Sequence, residues 1–314
     1  MVKKDKIKFE AQAFDSQIIE RMENGHIPDL RHPHRNEWFF NNVWRDPKFV
    51  EMSFGENLEY LMQFIHPNSK ILEVGCGPGH MSLELARNGH NVIGMDLSKK
   101  CIDIAKKVVS ANTYTDNYGS LEYLNCDFLD IDLENNSFNS IIFFGALSHF
   151  PNIDRALEKV HKLLKPKGRI LIWDTCVEQY KQEDASLLYF SKMLLSFCGN
   201  YYETKELPEN DNQLNKQINE VLNELKYIDG EGENLQSPND NSQNYKSMMK
   251  ALKERFNKQH FSWESSFYRN IIAGIRFDDP KKEHALARFI RQMEIFFINK
   301  GRLNPAFFYY VGEK

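Results

Sequence analysis

Residues 72–98, LEVGCGPGHMSLELARNGHNVIGMDLS, set Gly75, Gly77 and Gly79 directly after one apolar run and Asp96 at the end of a second. An apolar run that breaks into glycines and resumes with helical periodicity reads as strand, tight turn, helix. The same alternation recurs downstream. KILEVGC, NVIGMDLS, LEYLNCDF, NSIIFFGAL and GRILIWDT read as strands, and helical patterns lie between them. Ser98 is placed to cap a helix whose face carries Cys101, Ile102, Ala105, Val108 and Val109. Ile153, Leu157, Val160 and Leu164 mark another, stopped at KPKG, and Gly89 supplies the left-handed stop of the first. Strands separated by helices fold as an α/β, doubly wound, mostly parallel sheet.

Beyond Thr175 the alternation fails. Residues 176–270 read as a mainly helical insertion rich in aromatics, as in SLLYFSKMLLSF, interrupted by DGEGENLQSPNDNSQN, a stretch expected to be a mobile loop because it has little apolar content. KEHALARFIRQMEIFFINKG is again helical, and AFFYYVGEK reads as a closing strand. The domain reading is therefore an N-terminal helical segment over 1–55 that covers the site at the glycine turn, a core over 56–175, the insertion over 176–270, and 271–314 completing the core.

The 314 residues carry 40 Lys and Arg against 44 Asp and Glu, a formal net charge of −4, which offers no basic stripe to a nucleic-acid backbone. Cys76, Cys101, Cys126, Cys176 and Cys198 are odd in number with no C-x-x-C spacing, so neither a disulfide framework nor a cysteine zinc site is expected. The start lacks an apolar h-region, and IIFFGAL is too short to span a bilayer. A cytoplasmic protein without membrane attachment is expected.

The turn is selective. A dinucleotide fingerprint would be G-x-G-x-x-G, but its sixth position here is His80, and the third glycine comes one residue early. No G-K-[ST] follows, which excludes a P-loop. Asp96, twenty-one residues after Gly75, stands where a carboxylate accepts from ribose hydroxyls, and so points to an adenosine cofactor. LEVGCGPG, GMDLS, NCDF and LKPKGRILI, in that order, resemble the successive motifs of class I S-adenosylmethionine-dependent methyltransferases, a Rossmann-like family. The resemblance covers roughly residues 56 to 175 and the last strand. It implies S-adenosyl-L-methionine as cofactor. Glu73, Gly75, Cys76, Gly77 and Gly79 would then sit under its methionine and ribose, and Asp96 with Leu97 at the ribose. Asp127 and Phe128 would meet the adenine, and Phe144 with Gly145 would line the methionine end. One departure is Asn139 in SFNSI, where the family often has an acidic residue.

Methyl transfer asks the protein to hold a nucleophile in line, with a base only where a proton must leave. His149 in GALSHF follows the fourth strand and is a candidate either to accept a proton or to orient its loop. Asp174 in IWDT ends the fifth strand, as a second catalytic candidate or as a cap. RHPHRNEWFFNNVWRDPKF carries Trp38, Phe39, Phe40, Trp44 and Arg45. In the family such a segment often closes over the cofactor, which would bring Arg45 to the methionine carboxylate; the alternative is a satellite core. His32 and His34, or His149 with His260 and His284, lack the spacing of a metal site, and no metal is expected. The insertion would overhang the strand ends as a lid, with Tyr189, Phe190, Phe197, Tyr201 and Tyr202 as pocket wall or as its own core. Arg269 and Arg276 are candidates for an acidic substrate or for solvated surface.

A small-molecule acceptor, presented at oxygen, nitrogen or activated carbon in specialised metabolism, is the leading expectation. Nucleic-acid methylation is disfavoured because FFGAL stands where [DNS]-P-P-[YF] would be. Protein methylation, an NAD-dependent oxidoreductase and a cofactor-binding module without catalysis also compete with it. The oligomeric state is not legible.

Overall fold

The computed structural model describes residues 2–111, 117–204 and 206–314. The chain opens with α1 (Val2–Glu23), α2 (Pro47–Val50) and α3 (Glu56–Met62). Then β1 (Lys70–Val74), α4 (His80–Arg87), β2 (Asn91–Asp96), α5 (Lys99–Ala111), β3 (Ser120–Asn125), β4 (Phe138–Phe144), α6 (Ile153–Leu163) and β5 (Leu164–Thr175) follow. The remainder is α7 (Gln182–Phe197), α8 (Asp211–Lys226), α9 (Tyr245–Lys253), β6 (Asn257–Ser265), α10 (Tyr268–Ile272), α11 (Pro280–Asn299) and β7 (Phe307–Glu313).

The seven strands form one sheet in the order β3-β2-β1-β4-β5-β7-β6. β1 to β5 pair in parallel, and β7 runs antiparallel between β5 and β6. Strand order reverses between β1, which pairs with β2 on one side, and β4 on the other. That reversal opens a crevice at the carboxyl ends of the strands. β6 lies inside the stretch expected to be mainly helical. Its first three residues are exposed and polar, as suits an edge strand, and this masks the alternation that would identify it.

Period-two alternation divides the core into two layers. Leu72, Ile141, Phe143, Ile170, Ile172, Phe308 and Tyr310 pack on one face with α6 and α9. Ile71, Ile142, Leu171, Trp173, Tyr309 and Val311 pack on the other with α3 and α4. Ser98 caps α5 as expected, its Oγ accepting the Cys101 N–H at 3.0 Å.

A separate core joins residues 39–52 to α7, α8, α10 and α11. Phe39, Trp44 and Phe49 are buried there, while Trp38 and Phe40 remain exposed. The aromatic segment is thus a satellite core. Arg45, placed by the resemblance against a methionine carboxylate, lies in this core instead and is fully buried. It donates to the Ala273 and Ile275 carbonyls at 3.2 and 2.9 Å and to Glu283 Oε2 at 3.1 Å. Its guanidinium also lies over the Phe49 ring. Glu283 is equally buried, so neither charge tolerates losing the other.

Arg45→Ala is therefore expected to lower unfolding stability in urea by ~3 to 5 kcal/mol, the cost of stranding a buried charge. A variant of unchanged stability but impaired ligand binding would return Arg45 to the site.

Candidate functional site

At the crevice the backbone does most of the shaping. The Gly75 and Cys76 N–H groups both donate to the Met95 carbonyl, at 2.8 and 2.9 Å, which pins the turn after β1 to the end of β2. Gly79 sits at φ 83° before α4, and a Cβ there would collide with Tyr123 Oη. Tyr123 Oη in turn donates to the Gly79 carbonyl at 2.8 Å. Only glycine satisfies both the left-handed conformation and that approach. No N-cap side chain closes α4; the Ser82 N–H meets the Glu73 carboxylate, and the N–H groups before it are left for a ligand or water.

Asp96 closes the turn from β2. Its Oδ2 accepts the Gly77 N–H and its Oδ1 the Ser98 N–H, both at 2.7 Å. Burial nevertheless holds its pKa above the ordinary carboxylate value, these hydrogen bonds opposing the shift. Glu73 is 1% exposed and accepts a hydrogen bond from Ser82 Oγ. Burial raises its pKa from 4.5 to about 8, with the Ser82 bond opposing and the Asp96 charge adding to the rise.

These groups floor a cavity of about 330 Å³, within the size range of small-ligand sites. Glu73, Gly75, Cys76, Gly77, Asp96 and Leu97 line one part, Asp127 and Phe128 a second, and Phe144, Gly145 and His149 a third. Gly79 supports the turn from beneath. Asp127 Oδ1 accepts the Leu129 N–H at 2.8 Å and so shapes the loop after β3. Phe128 is 3% exposed, edge-on to Phe143 and Phe150, serving the core and the cavity wall together.

Asp174, a catalytic candidate by sequence, does not line the cavity. It is fully buried, and its Oδ2 accepts the Leu147 and Ser148 N–H groups at 2.8 and 3.2 Å while Oδ1 accepts from Thr175. Its position at the end of β5 is used to tie down the turn that carries His149. His149 is flanked by acids: Nδ1 lies 2.9 Å from Glu10 Oε1, and Nε2 lies 3.6 Å from Asp240 Oδ1. Burial alone would lower its pKa, but the Glu10 bond and the charges of Asp240, Glu10 and Asp174 outweigh burial and raise it.

The roof comes from α1, within the N-terminal segment expected to cover the site, and from the insertion expected to form the lid, through residues that carried no individual assignment. Helix α1 presents Ile7, Glu10, Phe14, Gln17, Ile18 and Arg21 to the cavity, a stripe at three- and four-residue spacing. Burial lowers the pKa of Arg21, and no salt bridge among the described residues holds it. Gln236 and Asn239 complete the roof. They belong to the polar stretch expected to be mobile, yet Ser237, Asn239 and Asp240 are buried. Hydrogen bonding fixes this stretch in place of apolar packing. Ser237 Oγ and Asn239 N–H donate to Glu10, and Gln17 donates to the Gln236 carbonyl.

The insertion helices stay outside the cavity. Tyr189 and Tyr201 are buried in the satellite region, with Tyr201 Oη on the Asn270 carbonyl. Phe190 and Phe197 are exposed, and Tyr202 contacts Phe40. Arg269 pairs with Glu264 beneath Trp173 and Phe307, while Arg276 donates to main-chain carbonyls. The histidines are dispersed: His32 faces Asp29, His260 faces Tyr60, and His284 faces Asp46.

Residues 65–251 match the family described as "Methyltransferase domain". Among curated relatives, the chain is 30% identical over 105 residues to a sterol 24-C-methyltransferase of Saccharomyces cerevisiae, covering 33% of this chain and 27% of that protein. It is 29% identical over 139 residues to a demethylmenaquinone methyltransferase of Symbiobacterium thermophilum, covering 41% of this chain and 52% of that one. The matches thus span about half or less of these relatives. A crystal structure of a SAM-dependent methyltransferase from Methanosarcina mazei superposes with a TM-score of 0.50 at 17% identity, over 81% of this chain and 96% of that one.

Because Glu73 binds a proton in the folded protein between pH 4.5 and about 8 and not in the unfolded chain, its contribution to stability is full below pH 4.5 and declines by ~1.4 kcal/mol per pH unit as pH rises to about 8. Glu73→Gln should remove that one-proton slope from the pH dependence of urea unfolding. An unchanged slope would mean that Glu73 is ionised in the fold.

Proposed function

The chain belongs to the methyltransferase-domain family of class I S-adenosylmethionine-dependent enzymes, and on that premise we propose that it methylates an oxygen, nitrogen or activated carbon atom of a small molecule of specialised metabolism. The observation that carries the reading is one cavity that joins the glycine turn and Asp96 to Arg21, a half-buried cation with no salt bridge among the described residues.

The residues present fit the cofactor. Asp96 uses one lone pair of each oxygen on backbone N–H groups, and a carboxylate has further lone pairs for ribose hydroxyls. Arg21 and the uncapped N-terminus of α4 suit the methionine carboxylate. Glu73 suits the methionine ammonium, whose charge would favour the ionised carboxyl. Asp127 and Phe128 are assigned to the adenine, with Leu97 beside the ribose, Cys76 in the turn, and Phe144 and Gly145 toward the methyl-bearing end. When bound, the cofactor supplies an electrophilic methyl group on a sulfonium sulfur. Around it the protein excludes water with α1 and residues 236–239, so that α1 takes the covering role in place of the aromatic segment after it.

The sterol and quinone enzymes among the relatives act on small molecules by name, which supports the choice of acceptor class. No helix among the described residues is long and apolar enough to cross a membrane. A cytoplasmic setting remains part of the proposal.

Calorimetric titration with S-adenosylhomocysteine tests the cofactor assignment. Asp96→Ala is expected to weaken binding by ~1 to 3 kcal/mol, and Arg21→Ala by a similar ~1.5 to 3 kcal/mol for a charge-assisted bond. Unchanged affinity in both, or binding of NAD in place of S-adenosylhomocysteine, contradicts it. Methyl-labelled cofactor incubated with a cell extract should place label in small molecules; label in protein or nucleic acid alone contradicts the acceptor class.

A further inference from the structure

We propose that the Asn239 carboxamide, in the roof of the cavity, is the recognition group for a neutral hydroxyl on the methyl acceptor. In calling that molecule an acceptor, the inference rests on the methyl-transfer reading above.

Asn239 is fixed by its backbone, which leaves its side chain uncommitted. Its N–H donates to Glu10 Oε2 at 2.8 Å, and its carbonyl accepts the Ser242 N–H at 3.1 Å. The residue is only 4% exposed and lines the cavity. Its carboxamide makes no hydrogen bond among the described residues, yet neither of its polar atoms is sealed in protein. The carboxamide therefore opens into the cavity. There it offers two N–H donors and one accepting oxygen, and a ligand that fails to meet them leaves desolvated polar atoms unpaired.

Two further carboxamides line the same cavity. Gln17 spends its Nε2 on the Gln236 carbonyl at 2.8 Å, and among the described residues its Oε1 and the Gln236 side chain are left without a partner. Ile7, Phe14 and Ile18 of α1 supply apolar surface between them. A lining of this kind suits an apolar body that carries neutral polar groups. Charge rules against an ionic head beside Asn239. The Glu10 and Asp240 carboxylates flank His149, at 2.9 and 3.6 Å. An anion would be repelled by these two acids, and a cation would compete with His149 for them. A hydroxyl meets neither objection, since it donates to Oδ1, accepts from Nδ2 and adds no charge.

The test uses the full chain and a probe series of arylalkyl alcohols, from benzyl alcohol to 4-phenylbutanol. Each is titrated calorimetrically beside its matching amine and carboxylate, with and without S-adenosylhomocysteine. At least one alcohol is expected to bind about tenfold tighter than either ionic counterpart. Asn239→Leu should weaken that alcohol about tenfold while leaving S-adenosylhomocysteine within about twofold. Glu10 holds residue 239 by its backbone N–H, so the replacement keeps the roof's fastening. If Asn239→Leu does not fold, the alcohol's methyl ether carries the test on the unaltered chain: it has no proton to donate and should bind about tenfold more weakly than the alcohol. No alcohol binding, an alcohol bound no tighter than its amine, carboxylate or ether, or alcohol affinity indifferent to Asn239→Leu each overturns the proposal. So does an Asn239→Leu variant that loses S-adenosylhomocysteine and keeps the alcohol, which would assign Asn239 to the cofactor. Failure of the unaltered chain to bind S-adenosylhomocysteine sinks the cofactor reading alone, because the alcohol titrations without it still report on Asn239.

Discussion

A carboxylate withdrawn from water must be met by donors, and Glu10 is met by three that come from two parts of the chain far apart in sequence. His149 belongs to the turn after β4, and Ser237 and Asn239 to the loop before α9. Their convergence on one side chain of α1 turns an open crevice at the strand ends into a roofed cavity. Asp15 adds a second fastening, accepting from Ser98 Oγ and the Lys100 N–H at the start of α5. The roof is thus polar in its attachments and mixed toward the cavity, where Ile7, Phe14 and Ile18 stand beside Gln17 and Arg21. Such a cover can separate from the sheet without breaking either core layer, which a site that must admit a cofactor requires.

The opposite face of the site is rigid for different reasons. The glycine turn is stapled to Met95 by two N–H groups and crowded by Tyr123, so its conformation is fixed by the sheet before any ligand arrives. Asp174 fixes the other flank by holding the turn at residues 147–149. Preorganised backbone on one side and a detachable helix on the other divide the labour between positioning and access.

What could be read from the sequence follows the range of the interactions. The strands from β1 to β5, β7, the cap at Ser98 and the glycine turn depend on local periodicity and turn chemistry, and all were legible. Arg45 was not, because its partner Glu283 lies far along the chain and an arginine beside aromatics looks the same whether it faces a ligand or a buried acid. Asp174 failed for a related reason: a carboxylate at a strand end signals the right edge of the sheet without saying whether its oxygens are already used. Residues 236–240 were hidden most completely. Their composition is that of a solvated loop, and only the hydrogen bonds to Glu10 bury them. The stripe on α1 at residues 7, 10, 14, 17 and 21 was present in the sequence, but the face it covers is set by tertiary packing.

The central claim is that one cavity, floored by the glycine turn and roofed by α1, holds the adenosine cofactor. Backbone hydrogen exchange with and without S-adenosylhomocysteine addresses both surfaces in a single experiment. Exchange should slow on ligand addition both at residues 75–79 and along the cavity-facing turns of α1, since a ligand held between them suppresses opening of the roof. Protection confined to the insertion helices α7 and α8, or an α1 whose exchange is unaltered by saturating ligand, would contradict the account.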